Sequence, residues 1–138
     1  MNFVEILGKF DTDPAVKQFF QQYRLDDESD AQPFRRYVGS QSRGIDMVLE
    51  RGRVLSVQVY LLPSGGFERC TEDLPFGLKA DMNQEQIHTL LGINASSEGN
   101  FSQWQVDDER KVTFDFDGSR RLKLVTAVAT HPIGDAPN

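Results

Sequence analysis

Apolar and polar positions run along this chain in two successive rounds, each opening with a helical period and closing with a strand period. In the first round, Asp13 before Pro14 reads as a helix N-cap followed by proline at the first helical position. Val16, Phe19, Phe20 and Tyr23 then recur at i, i+3, i+4 and i+7, which is one apolar stripe. The short Phe3-to-Leu7 segment before it, ending at Gly8, predicts a preceding turn or two of helix. Asp26-Asp27-Glu28-Ser29-Asp30 predicts a solvated loop that ends the helix.

Strand signals follow. Phe34 to Ser40 is a first candidate. Gly44 to Glu50 alternates, with Ile45, Met47 and Leu49 on one face. Glu50-Arg51-Gly52-Arg53 is a turn, and Val54 to Leu62 returns with Leu55, Val57, Val59 and Leu61 on one face. Pro63-Ser64-Gly65-Gly66 breaks the pattern, and Pro75 and Gly77 keep the connector 67–79 irregular.

The second round repeats the plan. Asn83 and Gln86 form a candidate capping box, Ile87, Leu90 and Leu91 make an apolar stripe, and Gly92 suits the position after the helix. A polar loop from Asn94 to Asn100 leads to a strand containing Trp104. Val112, Phe114 and Phe116 then alternate with Thr113, Asp115 and Asp117, a turn at Asp117-Gly118-Ser119 follows, and Leu122 to Ala129 returns. The tail from His131 is rich in Pro, Gly and Asp and reads as frayed. The predicted fold class is α+β: an antiparallel sheet built from two helix–hairpin repeats, about 11–62 and 81–129, with the helices packed on one face of a single domain, 1–138.

Composition narrows the function classes more than the fold. A length of 138 residues is enough for a real core, and ten Phe supply much of its volume. The formal charge of −6 disfavours nucleic acid and anionic membrane surfaces as partners, and is compatible with a basic protein partner. Cys70 is the only cysteine, so no intrachain disulfide can form. The N-terminus has no basic region or long apolar core and does not read as a signal peptide, so the default compartment is the cytoplasm.

Catalytic and metal chemistry find little support. Cys70 with His88 or His131 would need a shared site and an orienting third group, and nothing in the spacing supplies them. Paired metal-ligand spacings are absent, and Asp115-Phe116-Asp117-Gly118 fits strand alternation better than a calcium loop. No catalytic residue, metal or cofactor is assigned, and the chain is not expected to be an enzyme. The acidic groups carry more weight. Asp26, Asp27, Glu28 and Asp30 cluster after the first helix, Glu72 and Asp73 sit in the connector, and Asp107, Asp108 and Glu109 precede the Val112 strand. Such runs are usually solvated loops. As a recognition surface they would suit a cationic partner, with the first and third clusters as the candidate binding residues.

Leu74-Pro75-Phe76-Gly77-Leu78, followed by Met82, Ile87, Leu90, Leu91 and Gly92, by Trp104 and by the Phe114-Asp115-Phe116-Asp117 strand, resembles a family of small bacterial immunity proteins encoded beside polymorphic or secreted toxins. The resemblance covers roughly the second half of the chain. The helix ending in Leu-Leu-Gly is also similar to the repeat unit of the BamE-like fold. What the resemblance implies is a cytosolic inhibitor that covers a cognate protein toxin; it transfers no catalytic residue. A BamE-like interaction module and a small ligand-binding protein or hydrolase, with a pocket near His88 or Cys70, are the alternatives.

Overall fold

Strands that alternate polar residues with Val, Ile, Leu or Phe have one face to bury, and such strands form the centre of the fold. The computed structural model describes residues 1–32, 34–92 and 99–130. Helix α1 spans Pro14–Gln22 and α2 spans Gln84–Leu91. The strands are β1 (Asp27–Gln32), β2 (Arg35–Ser40), β3 (Ile45–Glu50), β4 (Arg53–Tyr60), β5 (Phe101–Gln105), β6 (Arg110–Phe116) and β7 (Leu122–Ala129). They form one open antiparallel sheet in the order β1-β2-β3-β4-β7-β6-β5. The expected α+β class holds. The first helix is followed by four strands and the second by three, and the two sets meet along β4 and β7.

Local chemistry explains most boundaries. Asp13 caps α1 by accepting a hydrogen bond from the Ala15 backbone N–H. Asn83 and Gln86 form the reciprocal capping box of α2, and Gly92 closes that helix in the left-handed conformation. The β3–β4 turn places both Arg51 and Gly52 at positive φ, 53° and 80°, the geometry that lets a tight hairpin match strand twist. The Arg51 guanidinium lies 4.4 Å from the Phe34 ring centre, a cation–π contact on a phenyl that stays exposed.

One row of each central strand faces the core. Val38, Ile45, Met47, Leu49, Val57, Val59, Val112, Phe114, Phe116, Val125 and Ala127 are all buried, together with Val16 and Phe19 of α1 and Ile87 of α2. Phe3, Phe114 and Phe116 are among the largest fully buried side chains. Each such burial contributes about 1.5–3 kcal/mol.

Four expectations need correction. The acidic run is not a loop: Asp27, Glu28 and Asp30 lie in β1, paired with β2 at one edge of the sheet. Leu55 is half-buried and Val54 takes its place in the core, because a bulge puts Leu49 opposite Val54 but Val48 opposite Ser56. Leu90 is exposed, so α2 presents Ile87, fully buried, and Leu91, half-buried, to the core. The segment before Gly8 makes only isolated turns, with Val4 O accepting from Leu7 N–H and Ile6 O from Lys9 N–H, yet it buries Phe3, Val4, Ile6 and Leu7. Most of the expected 94–100 loop and the tail from His131 lie outside the described residues.

Candidate functional site: an acidic groove at the sheet edge

The two acidic clusters do not come together. Asp27, Glu28 and Asp30 belong to edge strand β1, whereas Asp107, Asp108 and Glu109 form the turn between β5 and β6 near the other edge. Five inter-strand steps separate β1 from β6, roughly 24 Å at the usual strand spacing. All six side chains are exposed at the surface, as is that of Asp26.

Their electrostatic states also differ. The Asp107 carboxylate accepts from Arg110 Nε at 3.0 Å and Nη2 at 2.6 Å, and from the Glu109 backbone N–H at 2.9 Å. The Arg110 hydrogen bonds, then the Glu109 N–H, hold it below the usual carboxylate range. Its charge therefore shapes the turn and is largely answered within the chain. Glu28 pairs with Arg36 at 3.7 Å, and Arg36 also reaches Asp11 at 3.4 Å. These exposed pairs are worth little individually.

The β1 edge holds a groove that the sequence pattern did not single out. Register places Asp27 opposite Gly39 and Gly39 opposite Asp46, so these residues share the sheet face that points away from the core row. Together with Asp26, Tyr37 and Phe67 they line a cavity of about 560 Å³. Gly39 makes the room. A Cβ there would sit 2.7 Å from Asp46 Oδ1 and 2.7 Å from the Ile45 carbonyl oxygen. The Asp46 carboxylate thus lies over a bare backbone, half-buried, and burial raises its pKa against an opposing hydrogen bond from the Met47 N–H. Tyr60 and Phe67 stack beside it with ring centres 4.6 Å apart and planes 12° from parallel. Burial and the Asp46 charge raise the Tyr60 pKa. Asp27 Oδ2 accepts from the Gln41 backbone N–H at 3.0 Å, which fixes the rim.

A partly desolvated carboxylate beside aromatic faces suits a guanidinium or ammonium group, which restores the lost solvation and stacks on the rings. No group of three potential metal ligands occurs among the described residues. Asp46 and Tyr37 could have been suspected from their outward positions in alternating strands. Gly39 and Phe67 had no such signal, because their role depends on a neighbour strand and a distant connector.

The other reactive side chains are placed elsewhere. Cys70 is buried, and burial pushes its thiol pKa up, while its backbone N–H donates to Tyr60 O at 2.7 Å. His88 Nε2 lies 2.7 Å from Ser102 Oγ, which also accepts from Gln84 Nε2 at 2.8 Å. Ser102 is fully buried, so this trio ties α2 to β5 rather than presenting a hydroxyl to solvent. Asp117, in the segment considered as a calcium loop, accepts from the backbone N–H groups of Ser119 and Arg121, as a turn residue does. No helix among the described residues is long and apolar enough to cross a membrane. Comparison with protein-family models, curated proteins and solved structures finds no match.

Proposed function

We propose that this protein is a binding protein of the immunity type, which neutralises a partner toxin by laying the acidic edge of its sheet over a basic functional surface. The observation that carries this reading is Asp46, a half-buried carboxylate seated over Gly39 with Asp26 and Asp27 on the rim. Inserting a partner Arg or Lys would pair a charge that the fold has already partly desolvated, so little further desolvation opposes binding. The formal charge of −6 speeds encounter with a basic partner at low salt. Occlusion by the surrounding sheet face would supply the inhibition. Asp107, Asp108 and Glu109 rank behind the groove, since Asp107 is already paired and the turn lies near the opposite edge. We also read the two halves as pseudo-repeats, α1 with β2–β4 and α2 with β5–β7, meeting at β4 and β7, with β1 added to carry the acids.

Co-expression with the product of the adjacent reading frame tests the function. Rescue from toxicity and a stable complex are expected, and a harmless neighbour that forms no complex overturns it. Within such a complex, Asp46→Asn weakens binding by roughly tenfold or more, as for loss of one partner of a desolvated pair. Asp108→Asn changes it by less than about threefold, as for a rim charge.

A further inference from the structure

A second and larger cavity has the opposite character. It measures about 750 Å³ and is lined by the start of α2, the β6–β7 turn and part of the connector. Three arginines, Arg69, Arg120 and Arg121, line it. Within the described residues none of the three forms an ion pair; Arg24, Arg51 and Arg53 also form none, while Arg35, Arg36, Arg43 and Arg110 do. Two carboxylates, Asp81 and Glu85, also line the cavity, so the fixed side-chain charge there is positive in a chain whose total is −6.

The rest of the lining is suited to a ligand with one charged end. The capping box uses the Gln86 and Asn83 backbone N–H groups, at 2.8 and 2.9 Å. Gln84 and Glu85, which line the cavity, keep first-turn N–H groups with no intrahelical acceptor. The helix dipole adds a partial positive charge at the same end. Leu62 and Met82, both half-buried, supply an apolar wall, with Leu61 and Leu122 buried behind them. The turn that carries Arg120 and Arg121 is ordered by Asp117, which accepts from Ser119 N–H and Arg121 N–H, both at 2.9 Å, and Arg120 adopts a φ of 64°, a conformation that favours glycine. The His88–Ser102–Gln84 hydrogen bonds fix the α2 wall against β5.

We infer that this cavity binds a small organic oxyanion, a phosphate monoester with an apolar or aromatic body, with the phosphate among Arg69, Arg120, Arg121 and the α2 N-terminus and the body against Leu62 and Met82. The volume falls within the range of small-ligand sites. Arginine geometry favours a bidentate oxyanion over a single point charge. This site is independent of the acidic groove and of the toxin-binding reading, and its test involves no protein partner.

The probes are phenyl phosphate and inorganic phosphate, added to the full-length protein at low ionic strength and followed by calorimetry and backbone amide NMR. Saturable one-to-one binding of phenyl phosphate is expected, with inorganic phosphate binding at least about fivefold more weakly because it leaves the apolar wall empty. The amide shifts should concentrate at 82–88 and 119–122. Arg121→Gln should weaken phenyl phosphate binding roughly tenfold, and Arg69→Gln with Arg121→Gln should abolish it. Thr89→Glu, which places a carboxylate on an exposed helical position lining the cavity, should weaken it by a similar factor without touching an arginine. Absence of saturation at about 10 mM, the weak end of specific affinity, overturns the inference. So does undiminished binding by the double arginine variant, or amide shifts centred on Arg35 and Arg36.

Discussion

The acidic groove and the arginine cavity hold their charges by different means. In the groove the carboxylates ride on strands, and the register of β1, β2 and β3 sets Asp27, Gly39 and Asp46 in one row. Neighbouring strands crowd that row, so Asp46 loses water and its pKa rises. In the cavity the charges ride on a turn and a connector, and Arg69, Arg120 and Arg121 stay exposed. A sheet thus strips solvent from a charge at a defined point, whereas a turn presents a hydrated one. On the two proposals above, the first arrangement would meet a protein partner that brings its own countercharge, and the second a mobile small anion.

The sharpest way to break both sites at once is Gly44→Ala. Gly44, at φ 68°, lies beneath the connector, and a Cβ would sit 2.2 Å from Glu68 O and 2.6 Å from Cys70 N. Both atoms are backbone, and the same connector carries Phe67 to the groove and Arg69 to the cavity. Overpacking together with left-handed strain predicts a loss of about 3 kcal/mol or more, readable by urea denaturation. A loss under about 1 kcal/mol would mean that the connector gives way easily.

Gly39→Ala separates the two regions. Its Cβ displaces Asp46 and presses on the Ile45 carbonyl, so a loss of about 1–3 kcal/mol is expected. Amide shifts should spread over β1 to β3 and leave 82–88 unmoved. Ser102→Ala makes the complementary cut. Losing the buried acceptor of Gln84 and a partner of His88 predicts about 1–2 kcal/mol of destabilisation, with faster hydrogen exchange in α2.

The smallest effect is electrostatic. Burial raises the pKa of Asp46 and Asp115, while Arg110 lowers that of Asp107. A raised folded pKa gives stability that is complete below the unfolded value and is lost as pH climbs through the folded one. A lowered folded pKa gives stability present above the unfolded value and lost as pH falls through the folded one. Asp46→Asn should therefore raise the midpoint of thermal unfolding at neutral pH by a degree or two, roughly the scale of a fraction of a kcal/mol. That gain should vanish in acid. Asp107→Asn should lower stability near neutrality and have no effect well below the carboxylate range. Carboxyl ¹³C titrations should place Asp46 and Asp115 above Asp107.

Much of the scaffold was legible because its signals are local. Asp13-Pro14, the Asn83–Gln86 box and Gly92 each satisfy helix ends within a few residues. The rows Ile45-Met47-Leu49 and Val112-Phe114-Phe116 follow from strand period alone. Strand β1 was illegible for the same physical reason that makes it stable. An edge strand need not bury a face, and its acids discourage pairing with another chain, so it looks like a loop until β2 is beside it. Leu55 misled because a bulge, which period cannot reveal, moves the inward face by one residue.

The candidate sites divide along the same line. The acids of β1 and of the 107–109 turn were visible as composition, but composition could not say that they lie near opposite edges of one sheet, or that Asp107 spends its charge on Arg110. The sequence by itself determined the helices, the central strands, the inward rows and the acidic balance, all set by neighbours in the chain and by water. Only the tertiary structure decided which charge is desolvated over Gly39 and which arginines share a cavity. Those are distances between segments far apart in sequence, and charge interactions depend on distance and burial rather than on order.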